Sequence, residues 1–375
     1  MDFDFTDDQQ SLRDAVARWV DKGFGFERRH ALAKAGGATR AVYAELAELG
    51  LTGLAVPEEH GGMGFGAIEA MVVSEELGRG LVNAPFTAGA LVAPALLAAA
   101  PDELRASWLP RIVSAEALVV LAHQEQGARY HLNHVTTRAA QAADGWRLSG
   151  RKHVVPAGDE ADVFIVPARL SGADDDAAGI GLFIVERSAA TVRGYPTQDG
   201  ARAADVTLAD APAALITTDG WPVLETAVDI AIASHCAEGV GLMDRLLAIT
   251  VEYMNTRKQF GVPIASFQAL RHRVADVKMQ LELARSMSYY ASLKLGEPVE
   301  ARRRAVSQAR VQLGQSMRFV GQQCVQMHGG IGVTDEYIAS HYFKRLTVLE
   351  MGFGDTLHHL GEVSARMLDT AGVFA

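Results

Sequence analysis

The chain has 375 residues, 49% of them hydrophobic and 21% charged, and its formal net charge is −10. That length is enough for two or three packed domains, and the composition is that of an ordinary globular protein. The acidic balance argues against a nucleic-acid partner, which would need a basic face. The longest apolar run, 89–100, is too short to cross a bilayer, and residues 1–10 contain no basic residue. We therefore expect neither a secretory signal nor a membrane partner, and a cytoplasmic location.

Helices are predicted throughout the first third of the chain. Thr6 and Gln9 have the spacing of a capping box, and the apolar residues that follow them repeat at helical intervals. Further helices are predicted over 41–49, 68–78, 88–100 and 104–113, with a loop rich in glycine and proline at 55–64.

From about residue 118 the pattern changes to short segments that are rich in β-branched or aromatic residues. Strands are predicted over 146–148, 163–168, 181–185 and 205–208. Two of the polar segments between them, 143–145 and 171–174, fit hairpin turns. We therefore expect a compact block of antiparallel strands without parallel pairing.

Long helices return from about residue 224. Two stripes of apolar residues are spaced three or four positions apart, and their members are Phe267, Leu270, Val274, Val277 and Leu281, then Val306, Ala309, Leu313, Met317, Val320, Cys324 and Met327. Such stripes predict antiparallel helices packed in a bundle. The chain is therefore predicted to be α+β, with an N-terminal helical domain over 1–118, a middle β domain over 119–218 and a C-terminal four-helix bundle over 219–375.

The cysteines and histidines do not predict a metal site. Cys236 and Cys324 lie in separate apolar helical patterns, and we expect both to be buried thiols. His358 and His359 are adjacent, so they cannot chelate one ion from a single helix face. The sequence also contains no Walker loop and no G-x-G-x-x-G after a strand, so no self-standing nucleotide motif is predicted.

Motifs in all three blocks resemble the acyl-CoA dehydrogenase family. The segments that carry this resemblance are LAVPEEHGGMG at 54–64, DGW at 144–146 leading to GRK at 150–152, RKQFGVPI at 257–264 and QMHGGIG at 326–332. They occur in order and at family-like separations over nearly the whole chain. The resemblance implies the family's fold and its reaction, which is the α,β-dehydrogenation of an acyl-CoA thioester with FAD as the cofactor.

Three further segments are similar to the small subunit of pimeloyl-CoA dehydrogenases. They are HQEQGARY at 123–130, GYPTQDG at 194–200 and FGDTLHHL at 353–360. This likeness implies a role in fatty acid metabolism and a dicarboxylyl-CoA substrate such as pimeloyl-CoA. The family resemblance also implies electron-transfer flavoprotein as the partner that accepts electrons, and a homo- or hetero-oligomer, either a dimer or a tetramer.

The resemblance assigns Arg257, Phe260, Gln326, Gly329 and Gly330 to the FAD of a neighbouring subunit. The residue types suit that ligand. The planar fork of an arginine matches phosphate oxygens, and a glutamine amide offers both donors and an acceptor. Paired glycines let the backbone approach a ligand closely, because no Cβ stands in the way.

The β domain departs from the family pattern. The family's flavin loop is replaced by QEQGARYH at 124–131, and the resemblance implies that Gln124 and Tyr130 contact the cofactor. The strand that is expected to face the flavin ends in Pro156, which has neither an N–H nor a hydroxyl group to offer.

The family's catalytic glutamate has no equivalent at either of its two family positions. Counting from the motifs places Phe353 at one position and Ala231 at the other, and neither side chain can take a proton. Asp355 lies two residues beyond Phe353 in a loop, and it is the predicted substitute base. Its alternative role is the N-cap of the following helix.

Three functions therefore stay open. The first is an active FAD-dependent acyl-CoA dehydrogenase that uses Asp355 as its base. The second is a non-catalytic small subunit that completes the FAD site of a glutamate-bearing large subunit. The third is a flavin monooxygenase or oxidase on the same fold.

Overall fold

The computed structural model describes residues 5–143 and 145–367. The chain folds into two compact units. The first unit comprises the described residues of 1–30, 67–82 and 232–375, and the second comprises those of 31–66 and 83–231. The bounds of the three predicted domains stay a prediction, and each unit is described by itself below.

The N-terminal third is helical, as predicted. Its helices are α1 (Asp7–Gly23), α2 (Phe26–Lys34), α3 (Arg40–Glu48), α4 (Ala67–Arg79), α5 (Ala93–Leu97), which follows π-helical turns over Thr87–Val92, and α6 (Asp102–Val113). The predicted capping box is confirmed, because the Gln9 N–H donates to Thr6 Oγ1 over 3.2 Å and the Thr6 N–H donates to Gln9 Oε1 over 3.1 Å.

The second unit contains one sheet of short and long strands. They are β1 (Val119–Leu121), β2 (Arg138–Ala142), β3 (Gly145–Pro156), β4 (Val163–Arg169), β5 (Ile180–Glu186), β6 (Thr191–Pro196) and β7 (Arg202–Thr217). The strand order is β1-β4-β2-β3-β7-β5, with β6 on β7 and a further β4–β5 pairing that closes the path. The predicted turn at 143–145 includes Asp144, which lies outside the described residues.

Most of these pairs are antiparallel, but the prediction that no strands run parallel is wrong for two pairs. β1 runs parallel to β4, with Val119 opposite Val163, and β2 meets β4 in the same sense at a single pair. The chain between β1 and β4 includes the whole β2–β3 hairpin, and such a long crossover is what parallel neighbours require. Tyr43, Leu148, Phe164 and Phe183 are buried together in the core of this unit.

The last third consists of long helices joined by short connections. They are α7 (Trp221–Thr256), α8 (Gln268–Lys294), α9 (Val299–His328), α10 (Ile338–Met351) and α11 (Thr356–Met367), with a hairpin of β8 (Lys258–Gln259) and β9 (Val262–Pro263) between α7 and α8. Every member of the predicted apolar stripe of α9 is buried. Of the other predicted apolar stripe, which runs from Phe267 into α8, only Val277 and Leu281 are buried, and Phe267 is exposed.

Two glycines allow α4 and α7 to cross with their backbones in direct contact. A Cβ added to Gly78 would lie 2.2 Å from the Glu238 carbonyl oxygen, and one added to Gly241 would lie 1.9 Å from that of Glu75. Both thiols, Cys236 and Cys324, are buried and unpaired with each other, as predicted. None of the helices in the described part of the chain is long and apolar enough to cross a membrane.

Candidate functional site

The ends of α7 and α9 meet at an aromatic cluster in the first unit. The ring of Tyr253, one turn before Arg257, lies 4.6 Å from the ring of His328, and His328 lies 5.1 Å from Tyr337. His328 directly precedes Gly329. The cluster therefore brings the two predicted FAD motifs, about seventy residues apart in sequence, to the same end of the helices.

Phe260 projects from the tip of the β8–β9 hairpin. Phe260 and Gly261 have φ values of 54° and 82°, which is the backbone pattern of a two-residue type I′ hairpin turn. A bulky residue in this region is strained. The Phe260 ring is 91% exposed and touches the edge of Phe267, with 6.1 Å between ring centroids. A large aromatic ring held in this way suits a surface that another molecule covers.

The paired glycines leave an open corner beside this hairpin. Gly329 has φ 66° and ψ −143°, a conformation that is open to glycine and strained for other residues. A Cβ added to Gly329 or Gly330 would meet no atom of the described residues within 4 Å. Both positions therefore have room for a side chain, and packing within the described part of the chain does not require glycine there. Arg257 and Gln326 are also exposed. A guanidinium, an amide, an accessible backbone and an aromatic ring fit the pyrophosphate and adenosine of FAD.

The predicted β-domain loop is fixed in the second unit by a buried carboxylate. Glu125 accepts hydrogen bonds from the Thr136 N–H over 2.6 Å, from Thr137 Oγ1 over 2.7 Å and from Lys152 Nζ over 2.6 Å. Burial alone would raise the pKa of Glu125, but the charge of Lys152 and these hydrogen bonds lower that pKa to about 2. The carboxylate is therefore an anion that holds the loop in place at neutral pH.

Backbone strain is concentrated in the same region. Arg129, Val154 and Ala157 have φ values of 48°, 49° and 52°, and Val154 is β-branched, which makes this conformation a genuine outlier. Gln124 is half-buried and its carbonyl accepts the His153 N–H over 2.8 Å. Tyr130 is also half-buried. Strain of this kind is a recurrent feature of ligand sites.

Asp355 occupies the N-cap position of α11. Its Oδ1 accepts the His358 N–H over 2.8 Å, which is the usual capping bond. Glu350 reinforces this helix start by accepting from the Thr356 N–H over 3.1 Å and from Thr356 Oγ1 over 2.7 Å. Asp355 and Glu350 thus both bond to the first backbone N–H groups of α11, and the cap that the sequence offers as the alternative role of Asp355 is present.

His235 is a group near this loop that the sequence patterns do not single out. It lies on α7, its Nδ1 is buried without a hydrogen-bond partner among the described residues, and its ring centroid is 5.4 Å from that of Phe353. The only signal in the sequence is that it follows Ala231 by one helical turn.

A cluster of His30, Asp335 and His341 has its ligand atoms within 4.8 Å of one another, but its hydrogen bonds do not suit a metal ion. His341 Nδ1 accepts from Arg29, and His341 Nε2 donates to the Asp335 carbonyl over 2.8 Å, so both ring nitrogens are engaged. Lys344 Nζ also lies 3.2 Å from Asp335 Oδ1. The positive charges of Arg29 and Lys344 would repel a metal ion bound at this cluster.

The chain matches the models of one protein family along most of its length. The acyl-CoA dehydrogenase N-terminal, middle and C-terminal domain models match residues 6–116, 121–210 and 218–368. Acyl-CoA dehydrogenase FadE27 of Mycobacterium tuberculosis is 27% identical over 99% of this chain and 100% of its own length. The (2S)-methylsuccinyl-CoA dehydrogenase of Cereibacter sphaeroides is 26% identical over 86% of this chain and 63% of its own length.

A solved structure, the ChsE4–ChsE5 complex from Mycobacterium tuberculosis, matches with a TM-score of 0.87 and 28% identity over 98% of this chain and 99% of that one. The three domain models together extend over nearly the whole sequence. The chain belongs to the acyl-CoA dehydrogenase family of FAD-dependent oxidoreductases.

Proposed function

We propose that this chain carries out the α,β-dehydrogenation of an acyl-CoA thioester as part of an oligomer. In this proposal Arg257, Phe260, Gln326, Gly329 and Gly330 hold the FAD that belongs to a second subunit. When bound, FAD supplies the acceptor for the hydride that leaves the β-carbon.

The observation that carries the proposal is the open corner at the ends of α7 and α9. Its glycines have no packing partner in the described part of the chain, and Phe260 is almost fully exposed. Nearby Val333 and Ile331 are 71% and 43% exposed. Apolar surface next to an exposed guanidinium is expected where a partner subunit and an anionic cofactor meet.

Each residue of this corner has a separate task in the proposal. Arg257 pairs with a phosphate through charge-assisted hydrogen bonds, and the backbone at Gly329 and Gly330 approaches the same group. Gln326 fixes orientation by donating or accepting at the ligand. Phe260 covers an aromatic or apolar part of the cofactor and excludes water.

Gly330→Val tests the corner without disturbing the fold. Its side chain would project into open space, so we expect an unchanged melting temperature. We also expect flavin binding at least about tenfold weaker, a loss of about 1.4 kcal/mol, because the backbone can no longer approach the ligand. Flavin absorbance per protein after gel filtration measures this. Gly361→Val, at another open glycine, is the control that should retain flavin. Equal retention in both variants would contradict the assignment.

The second candidate function is the non-catalytic subunit of a heteromeric enzyme. It is favoured by the side chains at the two family base positions, Phe353 and Ala231, which cannot accept a proton. The related ChsE4–ChsE5 structure is itself a complex of two named proteins. In this case the chain would complete the FAD site while a large subunit supplies the glutamate.

The remaining assignments extend the proposal. A dicarboxylyl-CoA, of which pimeloyl-CoA is the first to test, is suggested by the likeness to pimeloyl-CoA dehydrogenase small subunits. The relative from Cereibacter sphaeroides is likewise named for an acyl-CoA with a dicarboxylic acyl group, (2S)-methylsuccinyl-CoA. We further propose electron-transfer flavoprotein as the electron acceptor, a dimer or tetramer as the assembly, and the cytoplasm as the location.

An anaerobic absorbance titration distinguishes the two candidate functions. A chain that purifies yellow by itself and is bleached by an acyl-CoA has its own FAD site and its own base. Bleaching that appears only after co-expression with a glutamate-bearing homologue would support the heteromeric function. A yellow chain that no acyl-CoA bleaches under either condition would contradict both.

A further inference from the structure

His235 lies on α7 and packs against Phe353, the residue that counting from the motifs places at one of the family's two catalytic glutamate positions. On α7 it follows Ala231 by four residues, so the two side chains share a helix face. Across from α7, its ring is tilted by 50° against the ring of Phe353, with 5.4 Å between centroids. We infer that His235 is the general base that removes the α-proton of the acyl-CoA, an inference that rests on the proposed dehydrogenation.

The ring is oriented by the loop that carries Phe353. A Cβ added to Gly352 would lie 3.2 Å from both Nδ1 and Cε1 of His235. This edge of the imidazole is therefore closed off by the loop, and Nδ1 has no hydrogen-bond partner within the described structure. The side chain as a whole is only half-buried, so the opposite edge, which contains Nε2, is the one left to meet a ligand.

The loop itself is held rigidly. The buried guanidinium of Arg310 donates to the Gly352 carbonyl over 2.8 Å and to the Gly354 carbonyl over 3.2 Å, and it also donates to the Leu349 carbonyl. On the other side, His359 Nε2 lies 3.1 Å from the Phe353 carbonyl oxygen. A side chain packed on such a loop is pre-organised, as a proton acceptor must be.

The electrostatic surroundings keep the imidazole neutral. Burial, followed by the positive charges of Arg310 and Arg345, holds the pKa of His235 well below its usual value of 6.5. Arg345 is in turn paired with Glu238, whose carboxylate oxygens lie 2.6 and 2.9 Å from its Nε and one Nη. A neutral ring has a lone pair at one nitrogen and can accept a proton there, and the lowered pKa makes it a weaker base than a free imidazole.

The reaction step balances with the chemistry that the family supplies. The Cα–H bond of the thioester breaks and its proton passes to Nε2 of His235. The electron pair of that bond forms the Cα=Cβ double bond. When bound, FAD would supply the two-electron acceptor for the β-hydrogen and its electron pair, so that the oxidation of the acyl group is balanced.

The test uses the FAD-bound protein and measures proton exchange separately from oxidation. With the flavin already reduced by dithionite, hydride transfer cannot occur, and exchange of the acyl-CoA α-protons with D₂O is followed by mass spectrometry. We expect His235→Gln to slow this exchange by about 1,000-fold, within the range for loss of a general base. Flavin content should be unchanged. His272→Gln, at an exposed histidine, should exchange at the parent rate.

Two further variants complete the test. Placing glutamate at the family position in the double variant His235→Gln/Phe353→Glu should restore exchange, and His235→Asn replaces His235→Gln if the latter loses flavin. Exchange at the parent rate in a His235 variant that retains FAD would overturn the inference, and loss of exchange in Asp355→Asn would then point to Asp355 as the base. A parent protein that retains FAD but exchanges no α-proton of any acyl-CoA would instead overturn the proposed function.

Discussion

Replacing Lys152 by methionine is expected to lower the free energy of unfolding by about 3–5 kcal/mol, because it leaves a buried carboxylate without its counter-charge. The Lys152 side chain is fully buried, and its Nζ lies 2.6 Å from Glu125 Oε1 and 2.8 Å from the Pro167 carbonyl oxygen. Denaturant unfolding followed by circular dichroism measures the change.

Lys278→Met is the matched control for this experiment. Lys278 pairs with Glu282 one turn away, but both side chains are about half exposed. Such an exposed pair contributes about 0.3–0.5 kcal/mol. If both variants lost the same small amount of stability, the buried pair would not anchor the β-domain loop in the way described.

The same pair predicts how stability depends on acid. The folded-state pKa of Glu125 is about 2, below its ordinary value of 4.5. A depressed pKa contributes stability that is fully present above the unfolded value and is lost as the pH falls through the folded value. We therefore expect the parent chain to lose this contribution between about pH 4.5 and 2, and stability that does not change across that window would contradict the prediction.

Replacing Arg257 by alanine is expected to weaken FAD retention by about 10–150-fold. This corresponds to the roughly 1.5–3 kcal/mol of a hydrogen bond to a charged group. The Arg257 side chain is exposed in this chain, so its removal should not change the melting temperature. Flavin fluorescence during dilution measures the dissociation of the cofactor.

Arg304→Ala provides the control for Arg257, since Arg304 is an exposed arginine on α9 and away from the glycine corner. It should retain FAD as the parent does. Equal flavin loss from both variants would indicate a general effect of surface charge. Unchanged retention in Arg257→Ala would remove Arg257 from the cofactor site.

The elements that could be predicted are those in which local pattern and burial agree. The apolar stripe of α9 and the capping box of α1 both follow from spacing alone. The sequence predicts β7 only over 205–208, but the strand extends from Arg202 to Thr217. Its second half contains Asp210, Pro212 and three alanines, which are residue types that are depleted in strands. Pairing with β3, where Pro212 lies opposite Arg147, overrides that preference.

The candidate site was predictable only where a motif carries it. Arg257 and the glycines lie in segments whose residue types suit a phosphate ligand. A lone histidine in an apolar helix, by contrast, has the pattern of a packed core residue, so His235 becomes visible only when its neighbours in space are known. Asp355 illustrates the reverse case, since a carboxylate before a helix predicts a cap and a base equally well.

The reciprocal glycine contact between α4 and α7 restricts how this sequence can evolve. At most packed positions the residue type can change during evolution, because a larger side chain on one element is accommodated by a smaller one on its neighbour. At Gly78 and Gly241 the opposing atoms are backbone carbonyl oxygens of Glu238 and Glu75, and no substitution makes a carbonyl smaller. Neither glycine therefore has a compensating partner, and the segment of α7 that carries His235 keeps its position while the surrounding side chains change.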